Sequence, residues 1–314
     1  TSQFQSVEIT DLVRGWYSGE YPNYGISLST DKSTPAKAWF YSINYTGYTA
    51  ARPVMTVTYR NVSGYEDYWS YTDLSAGRSG TASVNNYNGN FIFTQPLMQN
   101  GGNLMPVDLS LVYNSNSSGV PYTMFHYGIQ TNYHIYIRYD GKTAENGYKY
   151  YLNDADGTRH WFYFENNANV GKDEDGLGYT LYEITAGSET DEPNARYKLC
   201  DKDGNTMLFD SRGNVLRIKN TAGISSTVQY ETVSNTLRIK SVTDGAGRAY
   251  TFSYDTTAPE LCVGITDPAG RLVSFGYSQG LYMWANFPDG KTVYMSRDRS
   301  DWLVNKIVGI RGNT

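Results

Sequence analysis

A short motif that recurs towards the end of the chain constrains the fold more than any other feature. Each copy has a turn that contains glycine, then a basic residue, then alternating large apolar and smaller residues. The turn glycines Gly247, Gly270, Gly290 and Gly312 are 23, 20 and 22 residues apart. The copies occupy residues 242–255, 265–277, 287–295 (a looser match) and 307–312. Such a period is typical of repeat proteins, in which each unit buries its apolar face only against its neighbours.

The residues around each glycine predict a β-hairpin, because side chains of a strand alternate between two faces. Tyr250, Phe252 and Tyr254 share one face after the first turn, and the same offsets place Phe275 and Tyr277 in the second copy. The strands expected before the four turns are 237–242, 261–265, 281–287 and 303–307. A dipeptide such as Asp-Gly or Ala-Gly would supply the positive φ of a tight turn. Stacked side by side, these hairpins predict one curved sheet with a shared aromatic face.

At these residues the chain resembles the RHS, or YD-repeat, family. The matching signature is a strand, then Asp-x-x-Gly-Arg, then alternating residues that end in Tyr-Asp. Tyr254–Asp255 carries the final dipeptide, whereas Tyr277–Ser278 departs from it. The segment 87–93, with its Asn-Gly hairpin signal, and the strand-like segment 105–115 resemble the opening of RHS proteins. The resemblance implies a β-shell that commonly encloses a C-terminal toxic domain carried between competing bacteria.

The first 60 residues read as a different module. The series Ile-Thr-Asp-Leu-Val-Arg at 9–14, Pro-Asn-Tyr-Gly-Ile at 22–26 and Arg-Pro-Val at 52–54 resembles the C-terminal end of the DNRLRE family. That resemblance implies part of a β-sandwich of the carbohydrate-binding type, found on secreted and surface proteins. We expect a helical turn capped by Thr10, a strand near Ile26 and a final strand through Val57 and Tyr59. The junction at 65–71 is aromatic, which is not typical of a flexible linker.

Composition narrows the classes of partner. The 30 tyrosines and 31 glycines favour many short strands and turns over helices. The net charge of −5 with scattered basic residues argues against nucleic acid as a partner. No apolar run approaches the ~18 residues that span a bilayer, so membrane insertion is not expected. The first residues lack the basic start and apolar core of a signal peptide.

Three stretches carry the Asp-x-Asp-Gly pattern of calcium loops, at 154–157, 173–176 and 201–204. An EF-hand also needs a ligand two positions before the pattern and an acid six positions after the glycine. Of these six places only Asp210 is acidic; the others hold Leu152, Tyr163, Gly171, Tyr182 and Leu199. We therefore expect ordinary turns, with a surface calcium site at Asp173 as the alternative.

The histidines, the cysteines and one Asp-Pro motif are expected to have structural roles. His126, His134 and His160 lack the spacing of a zinc site and are expected to pack or hydrogen-bond on strands. Cys200 and Cys262 are expected as small buried side chains, with a disulfide left open. Asp267-Pro-Ala-Gly270 matches the four letters of a self-cleaving motif that RHS relatives carry, but its place inside a regular repeat predicts a turn.

These observations predict an all-β protein in three parts: residues 1–60 as the end of a DNRLRE-like sandwich, 61–120 as junction and RHS-type opening, and 121–314 as hairpin repeats. The repeats should form an arc, a partial β-shell. The sequence selects no catalytic residue, no cofactor and no metal site, and leaves ligand-binding residues open. The expected function is that of a structural piece of a secreted or cell-surface bacterial RHS protein, whose partners are further repeats and a C-terminal cargo domain. A glycan-binding adhesin and a hydrolase with an unrecognised carboxylate pair are the alternatives.

Overall fold

The computed structural model describes residues 6–7, 9, 12–13, 15–16, 21–27, 40–55, 64–66, 68–117, 124–125, 128–141, 147–165, 168–300 and 302–310. The chain divides into two compact units, Thr1–Arg60 and Asn61–Thr314.

The described residues of the first unit contain short helical segments and no strand. Residues 12–13 and 15–16 are helical, and the Val13 N–H donates to the Ile9 carbonyl at 3.0 Å. A 3₁₀ turn spans Thr49–Ala51. The strand expected near Ile26 is wrong as far as residue 27, because residues 21–27 are irregular. The expected cap, Thr10, and the final-strand residues Val57 and Tyr59 lie outside the described residues.

The second unit contains all the strands of the described residues, in two antiparallel sheets. The all-β prediction is confirmed. The first sheet has five consecutive strands: β1 Tyr71–Ser75, β2 Thr81–Asn85, β3 Phe91–Gln99, β4 Asp108–Asn114 and β5 Ile129–Thr131. Short 3₁₀ turns lie at Gly77–Ser79 and Ser115–Ser117.

The second sheet has sixteen strands, also in chain order, so each strand pairs with the one before and the one after it. The strands are β6 Tyr136–Tyr139, β7 Tyr148–Asn153, β8 Arg159–Phe164, β9 Val170–Asp173, β10 Thr180–Glu183, β11 Tyr197–Cys200, β12 Thr206–Phe209, β13 Val215–Lys219, β14 Ser225–Val233, β15 Thr236–Thr243, β16 Ala249–Tyr254, β17 Cys262–Thr266, β18 Leu272–Ser278, β19 Tyr282–Asn286, β20 Thr292–Arg297 and β21 Val304–Val308.

Seven turns described in this sheet share one backbone arrangement. In each, the N–H of the first residue donates to the carbonyl of the fifth, and the fourth residue, a glycine, donates to the carbonyl of the first. The glycine φ lies between 76° and 89°. These are three-residue loops that end in a left-handed glycine, so the positive φ expected at Gly247, Gly270 and Gly290 is confirmed. The first residues of the seven turns are Asp154, Asp201, Asp210, Asn220, Asp244, Asp267 and Phe287.

An aspartate at the first position stabilises these loops from within. Asp267 Oδ1 accepts hydrogen bonds from the N–H groups of Ala269 and Arg271, and its Oδ2 accepts one from Arg271 Nε at 2.6 Å. Asp244 repeats the pattern with Arg248 Nε at 2.7 Å. Both carboxylates are buried, with 0–1 % of the side chain exposed. The Asp-x-x-Gly-Arg signature is therefore a turn whose aspartate satisfies backbone donors and one arginine.

The shared face predicted from the repeat offsets is confirmed. Phe252 is 8 % and Phe275 is 6 % exposed, and both belong to the core. The hydroxyl of Tyr254 donates to the Ile239 carbonyl at 2.6 Å, and that of Tyr277 donates to Cys262. Each acceptor lies 15 residues upstream. Equivalent offsets in neighbouring repeats would favour an aromatic ladder of Phe252 and Phe275, but such a ladder is wrong here because β17 lies between their strands.

Strand β4 and the described residues 124–125, between β4 and β5, cover part of this aromatic face. The rings of Phe125 and Phe275 meet edge to face at 5.0 Å. The Cys262 N–H donates to the Met124 carbonyl at 2.8 Å. Tyr113 accepts a hydrogen bond from the Val304 N–H on its hydroxyl, at 3.1 Å. Residues 71–131 thus bury rings that the repeats alone would leave exposed.

The sixteen-stranded sheet curls back on itself. Strand β6 pairs with β7 on one side, and on its other side Tyr136 forms an antiparallel bridge with Asn214, between β12 and β13. The Ile137 N–H donates to Gly213 at 2.7 Å, and the Val215 N–H donates to Ile135 at 3.2 Å. The sheet is therefore curved, as expected, and its curvature brings Asn214, between β12 and β13, beside the first strand β6.

Two segments differ from what their sequence pattern favours. Residues 166–178 are polar and rich in glycine, which favours an exposed loop, but β9 lies within them and pairs with both β8 and β10. Alternation typical of a strand runs from Tyr133 to Tyr139, but β6 begins only at Tyr136. None of the described helical segments is long and apolar enough to cross a membrane.

Candidate functional site

The densest group of interacting titratable side chains surrounds His160, near the start of β8. His160 Nδ1 lies 2.8 Å from Asp175 Oδ2, and its Nε2 lies 3.1 Å from Asp154 Oδ2. The imidazole is 1 % exposed, whereas the two carboxylate side chains are 27–30 % exposed. The ring of Tyr179 meets the imidazole edge to face at 5.7 Å.

Local folding places the two carboxylates on either side of the ring. Asp154 begins the β7–β8 turn, and its Oδ1 accepts hydrogen bonds from the N–H groups of Asp156 and Thr158. Asp175 follows β9, which pairs with β8 and so runs beside His160. The two segments converge only because β8 and β9 are neighbours in the sheet.

Asp156 and Thr158, in the same turn, hold the beginning of the second unit. Thr158 Oγ1 accepts a hydrogen bond from the Gly64 N–H at 2.7 Å, and Asp156 Oδ2 accepts one from the Tyr65 N–H. Asp156 Oδ1 also accepts from the N–H and the hydroxyl of Thr158, at 2.9 and 2.6 Å. The turn therefore ties residues 64–65 to the β7–β8 hairpin.

The charges of the cluster are mutually dependent. Burial opposes charging of His160, but hydrogen bonds to Asp154 and Asp175 outweigh it and raise the His160 pKa to about 10. Burial also opposes ionisation of Asp154, yet its hydrogen bonds to His160 and Asp156 hold the Asp154 pKa below its usual range. Burial and the nearby Asp154 charge raise the pKa of Asp156. The cluster is thus an imidazolium clamped between two carboxylates.

This arrangement does not present a reactive histidine. A general base or a metal ligand needs a ring nitrogen that is open to its substrate or metal. Both nitrogens of His160 are occupied by carboxylates, and burial closes off the ring. The geometry therefore favours a role in holding β8, the β7–β8 turn and the residues after β9 together.

The three calcium-like loops are built from internal hydrogen bonds. Asp201 Oδ1 accepts from the N–H groups of Asp203 and Asn205, as Asp154 does in its own turn. In the third loop, Asp173 Oδ2 accepts from the Leu177 N–H at 2.7 Å, and Asp175 binds His160. Among the described residues, no group of three or more His, Cys, Asp or Glu side chains is arranged to hold a metal ion.

Among the described residues, the other histidine and the cysteines singled out in the sequence do not belong to the His160 cluster. Burial, with the Arg138 charge as a second cause, lowers the pKa of His134 to about 4, so that ring is neutral at pH 7. His126 lies outside the described residues. Cys262 is buried and Cys200 only partly so, and both are free thiols. The Asp-Pro-Ala-Gly stretch at Asp267 is the turn that the sequence predicts.

Sequence reasoning missed the convergence on His160. It treated Asp154 and Asp175 as members of separate loops, and His160 as an isolated strand residue. Both loops share the Asp-x-Asp-Gly pattern, one just before β8 and one at the end of β9, and the shared pattern was the available signal. Only the pairing of β8 with β9 shows that they meet.

No protein-family model matches the chain, and no curated protein sequence matches it.

Proposed function

We propose that the chain is a structural, non-catalytic part of a secreted or cell-surface bacterial protein of the RHS, or YD-repeat, type. Its hairpin sheet would form part of a wall around a C-terminal toxin delivered in intercellular competition. The observation that carries this proposal is the single sheet of sixteen consecutive strands built with one repeated turn. A sheet of that construction has no natural stopping point and can extend by adding hairpins.

The turn chemistry supports a structural role. Asp244 and Asp267 are acidic and buried, features that often mark catalytic groups. Here their oxygens are taken up by backbone N–H groups and by Arg248 and Arg271 within the same turns. Their pKa values are lowered because these donors outweigh the cost of burial. Such carboxylates stabilise loops and are not available for proton transfer.

The curvature of the sheet supports the proposal that it forms part of a wall around a toxin. Strand β6 is bridged to Asn214 between β12 and β13, and the sheet continues beyond that point with strands β14–β21. Strand β21 is the last in the strand order and pairs with β20. We assign the next repeat of the natural polypeptide to its other edge, which offers main-chain donors and acceptors for a further strand.

The test uses the natural polypeptide with the sequence that follows β21. Under limited proteolysis, the following domain should be cleaved roughly tenfold or more slowly than the same domain produced alone, because a wall excludes the protease. Equal cleavage rates would contradict enclosure. Mass spectrometry of the released peptides reports both rates.

A hydrolase is the second candidate, and one observation favours it. The pKa of Asp156 is raised while that of Asp154 is lowered. Two neighbouring carboxyl groups whose pKa values are shifted in opposite directions can act as a general acid and a general base. Against it, both oxygens of Asp156 already accept hydrogen bonds from residues 65 and 158. Hydrolysis of a polysaccharide or peptide by the pure protein, lost in Asp156→Asn without loss of fold, would establish the hydrolase instead.

A further inference from the structure

A group of exposed aromatic rings lies where the second unit begins, and neither the core nor the His160 cluster uses it. We call Tyr65, Tyr68, Trp69, Tyr71 and Tyr87 the aromatic cluster. Four of them come from residues 65–71, just before and within the edge strand β1. Tyr87 comes from the turn between β2 and β3. The repeat rings Phe252 and Phe275, by contrast, are buried.

The cluster consists of two face-to-face stacks. Tyr65 stacks on Tyr71 with ring centroids 4.4 Å apart and an interplanar angle of 19°. Tyr87 stacks on Trp69 at 4.8 Å and 27°. Tyr68 leans on Trp69 at 5.7 Å. The rings therefore form two groups, one around Tyr71 and one around Trp69, whose inner rings are two residues apart in the chain.

In each stack an inner ring is anchored and an outer ring faces solvent. The Tyr71 hydroxyl donates to the Gly64 carbonyl at 3.0 Å and accepts from the Glu66 N–H at 2.8 Å. The Asn86 N–H donates to the Ser70 carbonyl, which continues the β1–β2 pairing and brings Trp69 opposite Tyr87. The outer rings are 48 % exposed at Tyr65 and 78 % exposed at Tyr87.

Exposure of this kind has no role in folding. A ring that is three-quarters exposed adds little buried apolar area, yet stacking holds it in one orientation. Rings fixed before binding lose less conformational entropy when a ligand arrives. The outer faces of Tyr65 and Tyr87 are thus preorganised flat surfaces.

The side chains around the aromatic cluster are mostly polar and uncharged. Ser70, Thr72 and Asn86 are exposed beside the rings, and the Thr72 hydroxyl donates to Asn86 Oδ1 at 2.7 Å. Arg78 is the only basic residue of the sequence from 64 to 90. Its guanidinium is paired with Asp289 at 2.8 Å. Among the described residues, a phosphate or sulfate group would find the exposed acid Asp73 on β1 and one basic residue, Arg78, which is already paired.

We infer that the aromatic cluster binds a neutral carbohydrate, with the outer faces of Tyr87 and Tyr65 stacking on the apolar C–H faces of its sugar rings. A flat amphipathic ring suits a sugar, which is apolar on one face and carries hydroxyls at its rim. Hydroxyl and amide side chains at Ser70, Thr72 and Asn86 match those hydroxyls. The charge pattern selects against anionic polymers. This site is independent of the proposed wall and adds a binding activity to it.

Affinity electrophoresis tests the inference with the intact chain. Native gels contain one soluble neutral polysaccharide each (xylan, galactomannan or mixed-linkage β-glucan), and parallel gels contain dextran sulfate. We expect retardation by at least one neutral polymer. Tyr87→Ala should weaken that retardation by ~10-fold, the effect of losing one aromatic stacking contact. Tyr65→Ala should weaken it in the same direction.

Tyr139→Ala is the matched control, because Tyr139 is 61 % exposed but meets Tyr150 edge to face instead of forming a stack. It should bind as the unchanged protein does. Absence of retardation in every neutral gel, binding to dextran sulfate alone, or unchanged binding by Tyr87→Ala would each overturn the inference. Self-association lost in Tyr87→Ala, with no retardation, would assign the surface to a second copy of the chain and also overturn it.

Discussion

His160 has the environment that differs most from that of a free histidine, and it predicts a pH dependence. Its folded pKa of about 10 exceeds the ordinary 6.5. Its stabilising charge is therefore fully present below pH 6.5 and is lost as pH rises through about 10. We expect the free energy of unfolding to fall over that window by roughly 1.5–3 kcal/mol, typical of hydrogen bonds to charged groups. Denaturant unfolding at several pH values measures it.

His160→Gln should abolish that part of the pH dependence, since glutamine does not titrate. His134 is the control, because its pKa is lowered to about 4 and the sign is opposite. Its contribution is present above pH 6.5 and is lost as pH falls through about 4. His134→Gln should therefore leave the alkaline slope unchanged. An alkaline slope that persists in His160→Gln would show that the carboxylate clamp does not stabilise the fold.

Substitution of Gly270 should lower the stability of the fold through backbone strain alone. Its φ is +79°, and a Cβ added there would meet no atom within 4 Å. Gly270→Val should destabilise by roughly 1–2 kcal/mol, because a side chain disfavours the left-handed region. Gly101 also has open space around an added Cβ but no left-handed φ, so Gly101→Val should be nearly neutral. Equal melting temperatures for the two variants would remove the loop geometry assigned to the β17–β18 turn.

At the scale of strands, the packing of the two sheets predicts a specific coupling. Phe275 touches Phe125 edge to face, whereas β17 separates it from Phe252. Each Phe→Ala change should cost about 3–5 kcal/mol. In double-mutant cycles, Phe125 and Phe275 should couple by about 0.5–1.5 kcal/mol. Phe252 and Phe275 should add within ~0.5 kcal/mol. The reverse ranking would contradict the placement of the five-stranded sheet over the repeats.

The repeat strands could be predicted because their alternation is strong and recurs at fixed offsets from a glycine. Strand β9 could not, since Val-Gly-Lys-Asp has no such pattern. It is a strand because it pairs between β8 and β10, and Gly171 leaves room for the ring of Phe164 across the pair. The His160 cluster could not be predicted for the same reason, because its members meet through strand pairing and not through sequence spacing. The curl of the sheet likewise depends on the bridge at Asn214, far from Tyr136 in sequence.

At the scale of the whole molecule, the fold should not depend on a metal ion. The carboxylates of Asp154, Asp175 and Asp201 are already engaged by protein donors. Chelator should leave the melting temperature unchanged, and added calcium should not raise it. A drop of many degrees with chelator, restored by calcium, would mean that the loop at Asp173 holds an ion that stabilises the chain.

The curl of the repeat sheet is the central structural claim, and a disulfide across its closing contact tests it most directly. Tyr136 and Asn214 are bridge partners flanked by the hydrogen bonds from Ile137 to Gly213 and from Val215 to Ile135. This is a non-hydrogen-bonded antiparallel pair, whose Cα atoms typically lie ~4.5 Å apart, within the range of a disulfide.

The experiment replaces Cys200 and Cys262 with serine and then introduces Tyr136→Cys with Asn214→Cys. The control protein carries Thr251→Cys with Thr266→Cys, at directly paired positions of β16 and β17. Intact mass and peptide mapping after mild oxidation should show an intramolecular cross-link in both proteins. A cross-link in the control but not between positions 136 and 214 would contradict the curled sheet and the wall proposed from it.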